Sequence, residues 1–167
     1  DRGIGKQAIH MVNVWASATG LALGQMKVAE KSNEITAIPE LLRMLDVSGC
    51  IVTIDAMGCQ KEIARQIVAG GADYVLAVKE NQGRLYEDVR DLFTGAAAFD
   101  YEAVPHDVSV TTTKGHGRLE TRECRVITDP KTLEYVEDRR LWANLQSVAE
   151  VTSTRRIGEE VTVEARY

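Results

Sequence analysis

Two short apolar runs separated by one amphipathic segment limit this chain's fold more than any other feature. The stretch Cys50-Ile-Val-Thr-Ile-Asp-Ala-Met-Gly-Cys-Gln60 opens with a β-branched run, Ile51, Val52 and Ile54, broken only by Thr53. That is the pattern of a strand covered on both faces. Residues 60–69 then place Ile63, Ile67 and Val68 on one helical stripe, which Gly70 and Gly71 terminate. Residues 73–79, Asp-Tyr-Val-Leu-Ala-Val-Lys, form a second apolar strand. Residues 50–79 are therefore expected to be a βαβ unit with parallel strands and a right-handed crossover.

Open α/β sheets place their chemistry at the C-terminal ends of such strands, and Asp55 stands there. The same position suits a residue capping the turn into the next helix, so spacing alone leaves both roles open. Lys79, Glu80, Asn81 and Gln82 follow the second strand and would lie beside Asp55 if the two strands are neighbours. They equally start the next helix, which Leu85, Val89, Leu92 and Phe93 mark over residues 83–94.

The flanking segments fit an α/β domain. Residues 8–16 and 21–29 read as an antiparallel hairpin, with His10 and Trp15 on opposite faces; a single strand histidine is more simply a packed or surface group than a ligand. Residues 31–34 supply capping side chains for a helix carrying Leu41, Leu42 and Leu45. Pro39 suits a first turn and places the regular start near Ala37 rather than Asn33. Beyond Gly95 the pattern turns to alternation: residues 106–113 and 118–128 as strands around a Lys114-Gly-His-Gly117 turn, a helical turn at 129–137, and strands over 141–155 and 160–167 around Gly158. The expected organisation is a core over residues 1–104 and a β-rich insertion over 105–167.

Composition narrows the function classes. With 44% apolar and 27% charged residues the 167-residue chain reads as an ordinary globular protein, without a membrane span or signal peptide pattern. It begins at Asp1 and ends at Tyr167 within an alternating run, which reads as a fragment cut at both ends. Cys50, Cys59 and Cys124 lack zinc-site spacing and suit free thiols in a reducing cytoplasm. The net charge of −5 argues against a wholly basic nucleic-acid-binding surface. Residues 1–104 carry 10 basic and 14 acidic groups, and residues 105–167 carry 10 and 11, so any basic footprint is small and local.

One local candidate is Lys114-Gly-His-Gly-Arg-Leu-Glu-Thr-Arg122. Strand alternation sends Arg118, Glu120 and Arg122 to one face and Leu119 and Thr121 to the other. Two arginines flanking a glutamate form either a self-paired ladder on a solvated strand or a phosphate-binding pair held in register by the glutamate.

The ordered set of motifs, the hairpin, Glu30-Lys-Ser-Asn-Glu-Ile-Thr-Ala-Ile-Pro-Glu40, Ile54-Asp-Ala-Met-Gly-Cys-Gln60, Asp73-Tyr-Val-Leu-Ala-Val-Lys-Glu-Asn-Gln82 and Gly115-His-Gly-Arg-Leu-Glu-Thr-Arg122, resembles bacterial insertion-sequence transposases. The resemblance is to the H-repeat-associated branch of the DDE superfamily and covers essentially the whole chain. It implies an α/β fold with an RNase H-like mixed sheet, flanking helices and a β-rich insertion. It also implies metal-dependent phosphodiester cleavage and strand transfer on DNA, at element ends and target, by a homo-oligomeric complex.

On that resemblance Asp55 matches the second of three metal-binding carboxylates. The first would lie upstream of residue 1 in an Asp-Gly-Lys motif, which Asp1-Arg-Gly-Ile does not match, and the third beyond Tyr167. Mg²⁺ or Mn²⁺ would serve the full-length enzyme, with none held and little activity expected in this chain alone. Lys79, Asn81 and Gln82 would line the active-site rim, and Lys114, His116, Arg118 and Arg122 would contact DNA or brace the insertion. Without the first acid's strand, two neighbouring strands would be left with unpaired backbone groups, to be closed by direct pairing, by the N-terminal arm or by another copy. Two other classes compete: a non-catalytic DNA-binding or assembly module from a decayed element, and an unrelated α/β enzyme using Asp55 near Cys59, which sits near a helix start, a position that can lower a thiol pKa.

Overall fold

The computed structural model describes residues 10–28, 34–115 and 117–167. By internal contacts the chain divides into two compact units, Asp1–Leu76 and Ala77–Tyr167. The division falls ahead of the expected 104/105 boundary, and the long helix at 83–97 goes with the second unit.

In the first unit, strands β1 (His10–Ala16) and β2 (Leu21–Val28) pair as the expected antiparallel hairpin. The expected strand ends at 8, 9 and 29 and the capping residues 31–33 lie outside the described residues, as does the His10 side chain. Helix α1 (Glu34–Met44) starts earlier than Ala37 and contains Pro39. The missing proline N–H forfeits a bond to the carbonyl of Ile35, but Ala37, Ile38 and Leu41 on the same helix are buried. Packing of that face outweighs the local penalty. Strand β3 (Ile51–Ile54), helix α2 (Lys61–Ala69) and strand β4 (Asp73–Leu76) form the βαβ unit, with β3 and β4 parallel from Ile51↔Asp73 to Ile54↔Leu76. Strand β4 stops short of Lys79 because its ladder partner ends at Ile54.

The core of this unit is Ile38, Ile63, Ile67 and Ala72, with Val12, Val52, Ile54 and Tyr74 packed against it. Coverage of β3 and β4 is one-sided, against expectation: Ile51 is 68% and Val75 61% exposed. Helices α1 and α2 supply one covering layer, and among the described residues of this unit none covers the other face.

In the second unit a 3-10 turn (Glu80–Gln82) leads into α3 (Gly83–Ala97), which buries Leu85, Val89, Phe93 and Ala96. Strands β5 (Asp107–Gly115), β6 (Arg118–Ile127), β7 (Val148–Ile157) and β8 (Glu160–Arg166) form one antiparallel sheet in chain order. Between β6 and β7 the expected helical turn is two 3-10 turns, Thr132–Tyr135 and Glu137–Leu141. Helix α3 is tied to the latter by an Arg84–Glu137 ion pair and by the Glu137 N–H, which donates to Asp88 Oδ2 at 3.0 Å.

The protein is thus mixed α/β. Among the described residues the hairpin, the parallel pair and the four-stranded sheet are separate sheets. Among the described residues no central strand joins the hairpin to β3 and the two do not pair directly; the N-terminal arm lies outside the described residues.

Candidate functional site

The chain leaves β3 at Asp55, which is extended (φ −70°, ψ −178°) and caps a 3-10 turn over Ala56–Gly58. Its Oδ1 accepts the Met57 N–H at 3.1 Å. The capping role left open by the sequence is therefore real, but it engages one of two carboxylate oxygens, and the side chain is exposed. The rest of the Asp-Ala-Met-Gly-Cys stretch anchors this turn. A Cβ on Gly58 would run into Ile54 Cγ2 and lie 2.8 Å from Ile38 Cδ1, so only glycine lets the turn sit on the core. Cys59 is fully buried beside it.

That burial overturns the reading of Cys59 as a nucleophile. Desolvation pushes its thiol from the ordinary 9.0 up to about 11, away from the thiolate form that reacts. Loss of water outweighs whatever the nearby helix start contributes. All three cysteines are free thiols, as expected. His106 belongs to the second unit, where its Nδ1 donates to the Val104 carbonyl at 2.9 Å and its ring packs on Tyr101.

Among the described residues no three His, Cys, Asp or Glu side chains gather closely enough to hold a metal ion. Asp55, a single exposed carboxylate partly used as a cap, does not by itself fit a pair of divalent cations, which needs several oxygen ligands.

The other expected site residues fall in the second unit, in two places. Lys79 precedes the Glu80–Gln82 turn, and the Gln82 N–H donates to the Lys79 carbonyl at 2.9 Å. Helix α3 starts there without a side-chain cap bond from Gln82. Lys79 and Asn81 are exposed and Gln82 is half-buried.

The second place is β6. Glu120, only 6% exposed in its side chain, pairs with Arg118 Nε at 3.5 Å through one oxygen and with the Arg122 guanidinium through the other. The Arg118 and Arg122 side chains are about half exposed, at 50% and 55%. Arg118, Glu120 and Arg122 share one face, as expected, whereas Lys114 pairs with Leu119 on the opposite face. His116 lies outside the described residues. An open cleft of about 450 Å³ beside α3, lined by Leu92, Ala96, Phe99, Val104 and Tyr135, holds none of the expected site residues.

The sheet also brings in a residue that motif reading missed. Arg155 on β7 stands opposite Glu120 in the ladder. The signal was the parity of Arg155 about the Gly158 turn, but a β6–β7 register spanning residues 128–147 cannot be counted from sequence.

Over residues 1–156 the sequence matches the family described as the transposase DDE domain. The chain belongs to that family. Relatives place the chain in the H-repeat-associated branch of that family. It is 47% identical over 122 residues to an H repeat-associated putative transposase, YbfD, of Escherichia coli K12, covering 73% of this chain and 47% of the relative. It is 41% identical over 157 residues to another, YhhI, of the same strain, covering 94% and 40%. An uncharacterized protein from the dhlA 3′ region of Xanthobacter autotrophicus is 39% identical over 165 residues, covering 99% and 54%. The chain spans about half the length, or less, of these relatives. No solved structure matches the sequence. Among the described residues no helix is long and apolar enough to cross a membrane.

Proposed function

We propose that this chain is part of the catalytic core of an insertion-sequence transposase that cleaves phosphodiesters at element ends and transfers the freed 3′ end to target DNA. In that reading Asp55 is one of the acidic ligands, the first unit and α3 belong to an RNase H-like core, and residues 105–167 are its insertion. The supporting observation is the position of Asp55: an exposed carboxylate at the end of a parallel strand in a βαβ unit, within a stretch matching the DDE family. Lys79, Asn81 and Gln82 would line the active-site rim. Lys114, His116, Arg118 and Arg122 would contact the DNA backbone or brace the insertion, and the working complex is a homo-oligomer in the cytoplasm.

Family chemistry calls for Mg²⁺ or Mn²⁺, and Asp55 alone does not hold a metal pair. The remaining acids are taken to come from outside the described residues, and the chain by itself is expected to be inactive. The test is cleavage of labelled duplex carrying the element ends by the full-length protein. Cleavage that needs added Mg²⁺ or Mn²⁺ and stops in chelator is expected; cleavage undiminished in chelator refutes the reading. A second reading, a DNA-binding or assembly module without catalysis, draws on the capping bond of Asp55 and predicts duplex binding with no cleavage under either condition.

A further inference from the structure

The four-stranded sheet of the second unit has one face whose rows are dominated by charge. Residues paired across a ladder share a face, and the registers give the rows Thr113–Glu120–Arg155–Thr162 and Thr111–Arg122–Ser153–Glu164. Neighbouring rows add Arg118 at one side and Arg166 at the other. The opposite face carries Lys114, Leu119, Arg156 and Val161 in one row. Tyr167, next after Arg166 by strand alternation, packs on Tyr86 and Phe93 of α3 at ring-centroid distances of 5.7 and 6.1 Å. Helix α3 thus meets the opposite face at its Tyr167 end, while Val110, Leu119 and Val163 on that face are exposed.

Two carboxylates organise this face. Glu120 pairs with Arg118 and Arg122. Glu164 accepts two bonds from Arg166, at 2.9 and 3.1 Å. Arg155 stands between the two and is in neither set of ion pairs. Lys79 reaches the same edge, because the Val78 N–H donates to the Tyr167 carbonyl at 2.8 Å, at the end of β8. The Arg166 hydrogen bonds hold the Glu164 carboxyl below its usual range, with smaller pulls from Arg155 and Lys79. The central strip therefore carries five cations against two carboxylates, with Glu160 and Asp107 at its corners. Salt bridging uses only part of each guanidinium's five donors, so the arginines are oriented without being consumed.

The geometry points to a phosphate-binding strip on this face, in which Arg155 and Arg166 join the Lys79 end of the sheet to Arg118 and Arg122 and grip the backbone of duplex DNA. The inference rests on the reading of the protein as DNA-acting and deepens it by naming the surface and its central residue. The contacts are to phosphates, so they position the duplex without reading its sequence.

Arg155 and Arg156 give an internal control: they are adjacent and exposed, have the same charge, and lie on opposite faces. Binding of the wild-type chain to a fluorescent random-sequence duplex, titrated across salt concentrations, measures how many phosphates are neutralised. Arg155→Gln is expected to weaken binding by roughly five- to tenfold at 0.1 M salt and to flatten the log–log salt slope by about 1. Arg155→Lys should keep the slope and Arg156→Gln should leave it unchanged, with unfolding midpoints checking that all variants are folded. Equal effects of Arg155→Gln and Arg156→Gln, no effect of either, or no salt-dependent binding by the wild type would each overturn the strip. If Arg155→Gln behaves as expected while the full-length protein cleaves nothing, the strip stands and the catalytic reading falls. If metal-dependent cleavage is seen but the two variants bind alike, only the strip falls.

Discussion

Asp55 and Cys59 border the same short turn in opposite surroundings, one in water and the other sealed from it. The thiol's raised pKa makes a stability prediction whose sign is fixed. The folded value, about 11, lies above the ordinary 9.0, so the contribution of the neutral thiol is fully present below pH 9 and is lost as pH rises through 11. Urea midpoints should fall across that window, and should fall less steeply in Cys59→Ala; parallel curves would mean the thiol is not the titrating group. In the native protein a thiol reagent should label exposed Cys50 and leave Cys59 untouched until unfolding. Gly58 makes a second residue-scale prediction. A methyl group there meets Ile54 and Ile38, and overpacking of this kind costs about 1–3 kcal/mol. Denaturant unfolding of Gly58→Ala should show that loss, and an unchanged midpoint would mean that the turn relaxes freely.

At the scale of elements, the ladder on β6 shows how two readings of one motif can both hold. Arg118 and Arg122 do pair with Glu120, yet about half of each arginine side chain stays exposed. Glu120→Gln should cost about 1–2 kcal/mol, below the roughly 3–5 kcal/mol of a fully buried pair, because its partners are half solvated. A change near zero in thermal unfolding would make the ladder ornamental. Elements with local periodicity were readable from the chain itself: the Ile63–Ile67 stripe gave α2, and alternation through residues 118–127 gave β6 and the shared face of its arginines. What was not readable depends on distant partners. Helix α1 runs through Pro39 because Ala37, Ile38 and Leu41 are buried, and β4 ends at Leu76 because β3 ends at Ile54. Ile51 and Val75 remain exposed although their apolar runs suggest two covered faces. Arg155 entered the candidate site only through a register set across two 3-10 turns.

For the whole molecule, membership of the DDE family gives the chemistry a context that neither unit supplies alone. Asp55 was legible as a well-placed acid from the strand that delivers it, while its capping bond became visible only with the turn in place. That bond permits a clean separation of roles, since asparagine caps as well as aspartate does. Asp55→Asn should leave the unfolding midpoint near that of the wild type, whereas Asp55→Ala should lose about 1 kcal/mol. The most direct test of Asp55 as a catalytic ligand is to measure cleavage of the element ends and duplex affinity side by side in the full-length protein carrying Asp55→Asn. Cleavage reduced to background with affinity and stability unchanged is the predicted result. Cleavage at the wild-type rate, or affinity lost in step with activity, would reduce Asp55 to the cap of a turn.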